Sequence, residues 1–136
     1  MNILETDHWC LLLPIEWRAD YEDDVVRISD ADGVGEIEVS TLCKDSGTVL
    51  PAELAVMARE ESPEVTDWQE TRFGPFAGVT GEFAEEATHV QEWYLAAGNV
   101  MLYVTYVCDE DNAGMDEAAV TEILGTLVAA ASVQAL

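Results

Sequence analysis

The chain has 136 residues, enough for one domain with a sizeable core, and about half of them are apolar, with four Trp, four Tyr and three Phe. Five Lys and Arg stand against 28 Asp and Glu, a formal charge of −23. Such a field repels nucleic acid and anionic membranes and speeds encounter with a basic partner; the competing reading is a solvated surface suited to a salty cytoplasm.

No apolar run reaches the roughly 18 residues that span a bilayer. No basic region precedes Leu11-Leu12-Leu13 and no cleavage site follows it, so a cytoplasmic location is expected. Three separated cysteines, Cys10, Cys43 and Cys108, lie in apolar runs without a CxxC, which argues against disulfides and zinc and for burial as small hydrophobes.

In chain order, residues 8–13 read as a first strand stopped by Pro14, and Ile15 to Asp20 as a connector. Asp20-Tyr21-Glu22-Asp23-Asp24 reads as an acidic, solvated bend. Val25–Ser29 and Gly35–Cys43 flank an Asp32-Gly33 turn, and the second arm alternates in period two, as in a half-buried antiparallel strand.

Pro51 suits a helix start, and Leu50, Leu54, Met57 and Ala58 recur at helical spacing until Pro63. Residues 67–73 and 78–84 form another strand pair, in which Gly78 and Gly81 mark a bulge or a close backbone approach.

Residues 90–97 and 100–108 flank Gly98-Asn99, a two-residue hairpin signal that pairs Ala97 with Val100, Leu95 with Leu102 and Trp93 with Val104. From Met115, the stripe Val120, Ile123, Leu124, Leu127, Val128 and Ala131 predicts a helix to about residue 131, with a frayed tail over 132–136. The whole is a single α+β domain, a mainly antiparallel twisted sheet of six or seven strands with two packing helices.

Chemistry is hard to find. His8 and His89 have no nucleophile elbow or metal-ligand spacing beside them, so neither a catalytic set nor a metal site is expected. Asp109 to Gly114 opens like a calcium loop, but Ala113 and Val120 stand where ligands are needed. No cofactor is expected either.

The outer face of the Gly98-Asn99 ribbon carries Glu92, Tyr94, Met101 and Tyr103. It reads either as a partner surface or as a second core under the C-terminal helix. With Asp20, Glu22, Asp23, Asp24, Asp109, Glu110 and Asp111 it forms the candidate partner-binding set.

The Pro14-Ile15-Glu16-Trp17 step, the Gly74-Pro75-Phe76-Ala77-Gly78 step, the Glu92-Trp93-Tyr94 strand and the Ile123-Leu124-x-x-Leu127 helix together resemble the Mog1/PsbP-like group. That group includes bacterial DcrB-type domains of unknown function and chaperones of type VI secretion effectors. The resemblance implies an α/β/α sandwich that binds proteins rather than catalyses. It places a chaperone's helix-holding surface on Tyr94, Met101 and Tyr103.

The expected function is therefore non-catalytic binding of a basic protein, as an immunity-type inhibitor of a toxin or as an effector chaperone, with homodimerisation open. The alternatives are a small-ligand or enzymatic domain using a sheet–helix cleft, or a structural part of an assembly.

Overall fold

The structure is a computed structural model, described here over residues 2–130. The predicted frayed tail at 132–136 and the helical position at 131 lie outside the described residues. The strands are β1 (Asn2–Glu5), β2 (Trp9–Leu13), β3 (Trp17–Glu22), β4 (Val25–Asp30), β5 (Gly35–Cys43), β6 (Gln69–Phe73), β7 (Phe76–Glu85), β8 (Thr88–Ala97), β9 (Val100–Asp109) and β10 (Val128–Ala129). The helices are α1 (Pro51–Glu61) and α2 (Glu117–Gly125), and a 3-10 turn, Glu110–Asn112, follows β9.

Seven strands form one antiparallel sheet in the order β3-β4-β5-β9-β8-β7-β6, and β1-β2-β10 form a second, three-stranded one. The predicted α+β class and two packing helices are what the chain adopts.

The β8–β9 hairpin sets the frame. Its register is Ala97↔Val100, Leu95↔Leu102, Trp93↔Val104 and Tyr94↔Tyr103, as the two-residue loop predicts. Gly98 turns the chain at φ 59, a conformation that costs glycine little.

Trp93, Leu95, Leu102 and Val104 face the larger core, which α2 closes with Val120, Ile123 and Leu124 and the small sheet closes with Trp9, Leu11 and Leu13. The opposite face packs under Leu54 and Ala58 of α1. Leu50, expected in that apolar stripe, is instead the helix N-cap residue and is 54% exposed. Glu53, one turn into the helix, accepts a hydrogen bond from the Leu50 N–H at 3.3 Å.

Three local expectations are corrected. The segment from Trp17 is a strand, not a connector, so Asp20 and Glu22 lie on β3 and only Asp23-Asp24 turn. The N-terminal residues form β1, whose single buried side chain, Leu4, gives no alternation to read. The last helix stops at Gly125, short of residue 131. There the Thr126 hydroxyl donates to the Ile123 carbonyl at 2.7 Å and accepts the Leu12 N–H at 2.8 Å. This draws the chain onto β2, where Val128 pairs with Cys10.

Gly78 marks the tightest approach between strands. A Cβ on it would stand 1.7 Å from the Tyr94 carbonyl oxygen, and backbone cannot yield as a side chain does. Gly78→Ala is expected to destabilise the protein by about 2 kcal/mol or more, measured as a lower urea midpoint with an unchanged slope.

Candidate functional site: an acidic groove beside a covered tyrosine face

The ribbon's outer face is closed, and by α1 rather than by the C-terminal helix. Tyr94 is 4% exposed, Met101 7% and Glu92 5%, with Tyr103 partly buried beside them. As an open partner surface, these four residues are therefore corrected. The apolar stripe of α1 was legible, but not its destination: Leu54 and Ala58 pack on Tyr94, Ala96 and Met101, and the helix lies against β7 and β8.

What α1 covers is a polar cluster inside an apolar layer. The Tyr103 hydroxyl donates to Glu92 Oε2, and Ser62, at the end of α1, shares a 2.8 Å hydrogen bond with the Tyr94 hydroxyl. The Tyr94 and Tyr103 rings meet at a 46° tilt with centroids 4.9 Å apart, and Trp68 meets Tyr94 edge-on at 5.6 Å. Glu92 Oε1 and the Trp68 indole N–H are buried with no hydrogen-bond partner among the described residues. Burial pushes the Tyr94 hydroxyl upward in pKa. Burial and then the hydrogen bond to Glu92 push Tyr103 much further.

The acidic candidates fall into two groups that the sheet holds apart. Asp20, Glu22, Asp23 and Asp24 are exposed at the β3–β4 hairpin, where Thr41 N–H donates to the Asp24 carbonyl at 3.2 Å. Asp109, Glu110 and Asp111 are exposed at the other end of β9, near Gly35, the partner of Cys108. Five residues of β5 lie between Gly35 and Thr41, a span of roughly 20 Å at strand rise. The turn acids Asp23 and Asp24 therefore share no patch with Asp109, Glu110 and Asp111, whereas Asp20 and Glu22 lie beside Arg27 of β4, nearer the middle of the sheet.

Beside the second group lies a groove of about 630 Å³. Asp30, Glu36, Glu38 and Asp109 line it together with Val34 and Val107, and Val107 is 38% exposed. Among the described residues, no basic side chain lines the groove. Arg27 works next to it, donating to Glu38 at 2.9 Å, standing 3.5 Å from Glu36 and also pairing with Glu22. One guanidinium thus serves three carboxylates, and each pair is open to solvent and individually weak.

A smaller sheet–helix cleft of about 260 Å³ lies on the opposite face, lined by Glu82, His89, Gln91, Tyr106 and Glu117. His89 Nε2 stands 3.7 Å from Glu82, and the Tyr106 hydroxyl donates to Asp116 at 2.6 Å. Burial and that bond raise the Tyr106 pKa strongly. The expected burial of all three cysteines holds only for Cys108; Cys10 is half-buried and Cys43 exposed. Among the described residues, no group of three His, Cys, Asp or Glu side chains gathers to hold a metal ion, and no helix is long and apolar enough to cross a membrane.

No family model and no curated protein matches the chain. Solved structures do. A crystal structure from Bacteroides thetaiotaomicron VPI-5482 superposes with TM-score 0.64 at 15% identity over 90% of this chain, which spans only 45% of that protein. The cyanobacterial PsbP (CyanoP) of Synechocystis sp. PCC 6803 gives TM-score 0.64 at 11% identity, covering 91% of this chain and 88% of that one. LpqN of Mycobacterium tuberculosis, a protein involved in cell envelope biogenesis, gives 0.60 at 16% identity, covering 89% and 82%. At these identities the likeness is one of fold: the chain has a PsbP-like α+β fold.

Two outcomes follow from the buried tyrosines. Tyr103→Phe leaves both oxygens of a buried carboxyl without a hydrogen-bond donor and is expected to cost about 1–3 kcal/mol. In a double-mutant cycle by urea denaturation, the loss should shrink when Glu92 is also replaced by Leu. Tyr103 and Tyr106 both hold their protons above the ordinary tyrosine value of 10.0 in the fold. Their contribution is thus fully present below about pH 10 and is lost as pH rises beyond it. Alkaline unfolding should begin there and be less steep in Tyr103→Phe or Tyr106→Phe.

Proposed function

We propose that the protein is a non-catalytic binding domain that receives a basic segment of a partner protein in the groove beside Val107. The observation carrying this is the pairing of an apolar floor, the exposed Val107 and the half-buried Val34, with a rim of four carboxylates. A lysine or arginine side chain suits such a place, laying its methylenes on valine and its charge against the rim. The surrounding field of −23 would speed the encounter, and the groove would supply register.

Within this reading, an immunity-type inhibitor of a basic toxin is favoured over an effector chaperone. The chaperone reading needs an open apolar surface at Tyr94, Met101 and Tyr103, and α1 occupies that face. Asp23 and Asp24 at the β3–β4 turn act in this scheme at a distance, steering without touching, while Glu22 is tied to the rim through Arg27.

A lysine-rich peptide titrated by calorimetry or fluorescence tests the reading. Binding should weaken steeply as salt rises. Val107→Ser combined with Asp30→Asn and Asp109→Asn should weaken it about tenfold or more, whereas Asp23→Asn with Asp24→Asn should change mainly the association rate. Equal losses in the two sets would mean diffuse charge attraction and would sink the groove.

A further inference from the structure

We propose that Cys43 and His8 form a reactive thiol–imidazole pair through which the protein takes up a small thiol as a mixed disulfide. Cys43 ends β5 with its side chain exposed, and its Sγ stands 3.5 Å from Nε2 and 3.7 Å from Nδ1 of His8. The two residues are 35 positions apart in sequence: Cys43 is the last residue of β5, and His8 lies in the bend that leads into β2 of the small sheet. Either ring nitrogen lies within reach of the thiol proton.

Both partners are held from behind. The His8 N–H donates to the Thr6 hydroxyl at 3.2 Å, and the His8 carbonyl accepts the Ala130 N–H at 3.1 Å. The next residue, Trp9, pins this strand to β5 through its indole N–H, which donates to the Thr41 hydroxyl at 2.9 Å. On the other side, Lys44 N–H donates to the Asn99 carbonyl at 2.8 Å, and the Asn99 side-chain amide donates to the Lys44 carbonyl at 3.2 Å. The backbone is thus fixed on both sides of the pair while the sulfur stays accessible. A thiol within reach of an imidazole carried on a fixed backbone is placed for proton transfer to that base, the step that activates cysteine. Neither other cysteine shares it: Cys108 is buried in the core, and Cys10 is half-buried on β2.

The reaction is thiol–disulfide exchange with a low-molecular-weight disulfide. His8 accepts the Cys43 thiol proton, and the thiolate attacks one sulfur of the disulfide. The new Cys43 S–S bond forms as the old one breaks, and the departing thiolate takes the proton back from the imidazolium. One disulfide and one thiol are consumed and one of each is formed, so no further oxidant is needed. Asp7 precedes His8, and Cys43 is followed by Lys44, whose charge is paired with Glu53 at 3.3 Å, and then by Asp45. The whole chain is strongly negative, which favours cationic or neutral disulfides over anionic ones.

Cystamine, a dicationic disulfide, is the probe, with adducts mapped by mass spectrometry on the folded chain. Cys43 should be modified first, and the fast phase should vanish in Cys43→Ser. His8→Gln should slow it about tenfold or more, with His8→Asn as the second variant should glutamine disturb β2. Free imidazole should restore part of the rate to His8→Ala. Modification of Cys10 ahead of Cys43, or a His8 variant that reacts as fast as the natural chain, overturns the proposal. A slowed variant that imidazole does not rescue overturns the proton-transfer role of His8.

Discussion

Pairing of β9 on both sides is the constraint on which the rest of the molecule depends. It is registered with β5 from Gly35↔Cys108 to Cys43↔Val100 and with β8 from Thr88↔Asp109 to Ala97↔Val100. A one-residue slip on either side would exchange its two faces. One face would then bring Met101, Tyr103 and Thr105 against α2, and the other would bring Leu102, Val104 and Tyr106 beneath α1. With both neighbours locked, alternation along β9 distributes side chains to two cores of different character. The α2 side is a broad apolar layer shared with the small sheet. The α1 side is smaller and holds Glu92.

That smaller side also explains where the groove is. An α-helix of 11 residues spans roughly 16 Å, whereas a strand of 10 residues spans roughly 33 Å. A helix of that length cannot roof the face from end to end. Along one face of β9 the cover changes from Met101, 7% exposed, to Val107, 38% exposed. The groove beside Val107 is the stretch of sheet that α1 does not reach. Its carboxylate rim is what keeps an uncovered valine in water without inviting another sheet to stack on it.

The sequence was most legible where period and turn chemistry agree. The β4–β5 hairpin has an alternating second arm after an Asp-Gly turn, and the β8–β9 hairpin has two apolar, aromatic-rich runs around a two-residue Gly-Asn loop that fixes their register. Helix α1 was marked by proline at both ends. Elements with little burial left no such trace: β1 buries one side chain and β10 has two residues. Leu127 and Val128 continue a helical stripe beyond the end of α2, while the device that stops the helix, Thr126 accepting the Leu12 N–H, joins residues 114 positions apart. The covering of Tyr94 and the meeting of His8 with Cys43 are likewise matters of which layer lies over which. No local pattern encodes that, because an apolar stripe states that a helix packs and not on what.

The acidic surface and the small number of cations act together. Arg27 is the point at which three carboxylates of β3 and β5 converge, and Lys44 holds Glu53 at 3.3 Å near the start of α1. With 28 acids and five Lys and Arg, most carboxylates must be accommodated by water and counterions, and their mutual repulsion works against the compact state. The fold counters this from within, through sheet pairing and two cores, rather than through surface ion pairs, which contribute little each. A cationic segment arriving at the groove would relieve repulsion as well as make contacts. Binding and stability should therefore be coupled through the same charges, more strongly at low ionic strength than at high.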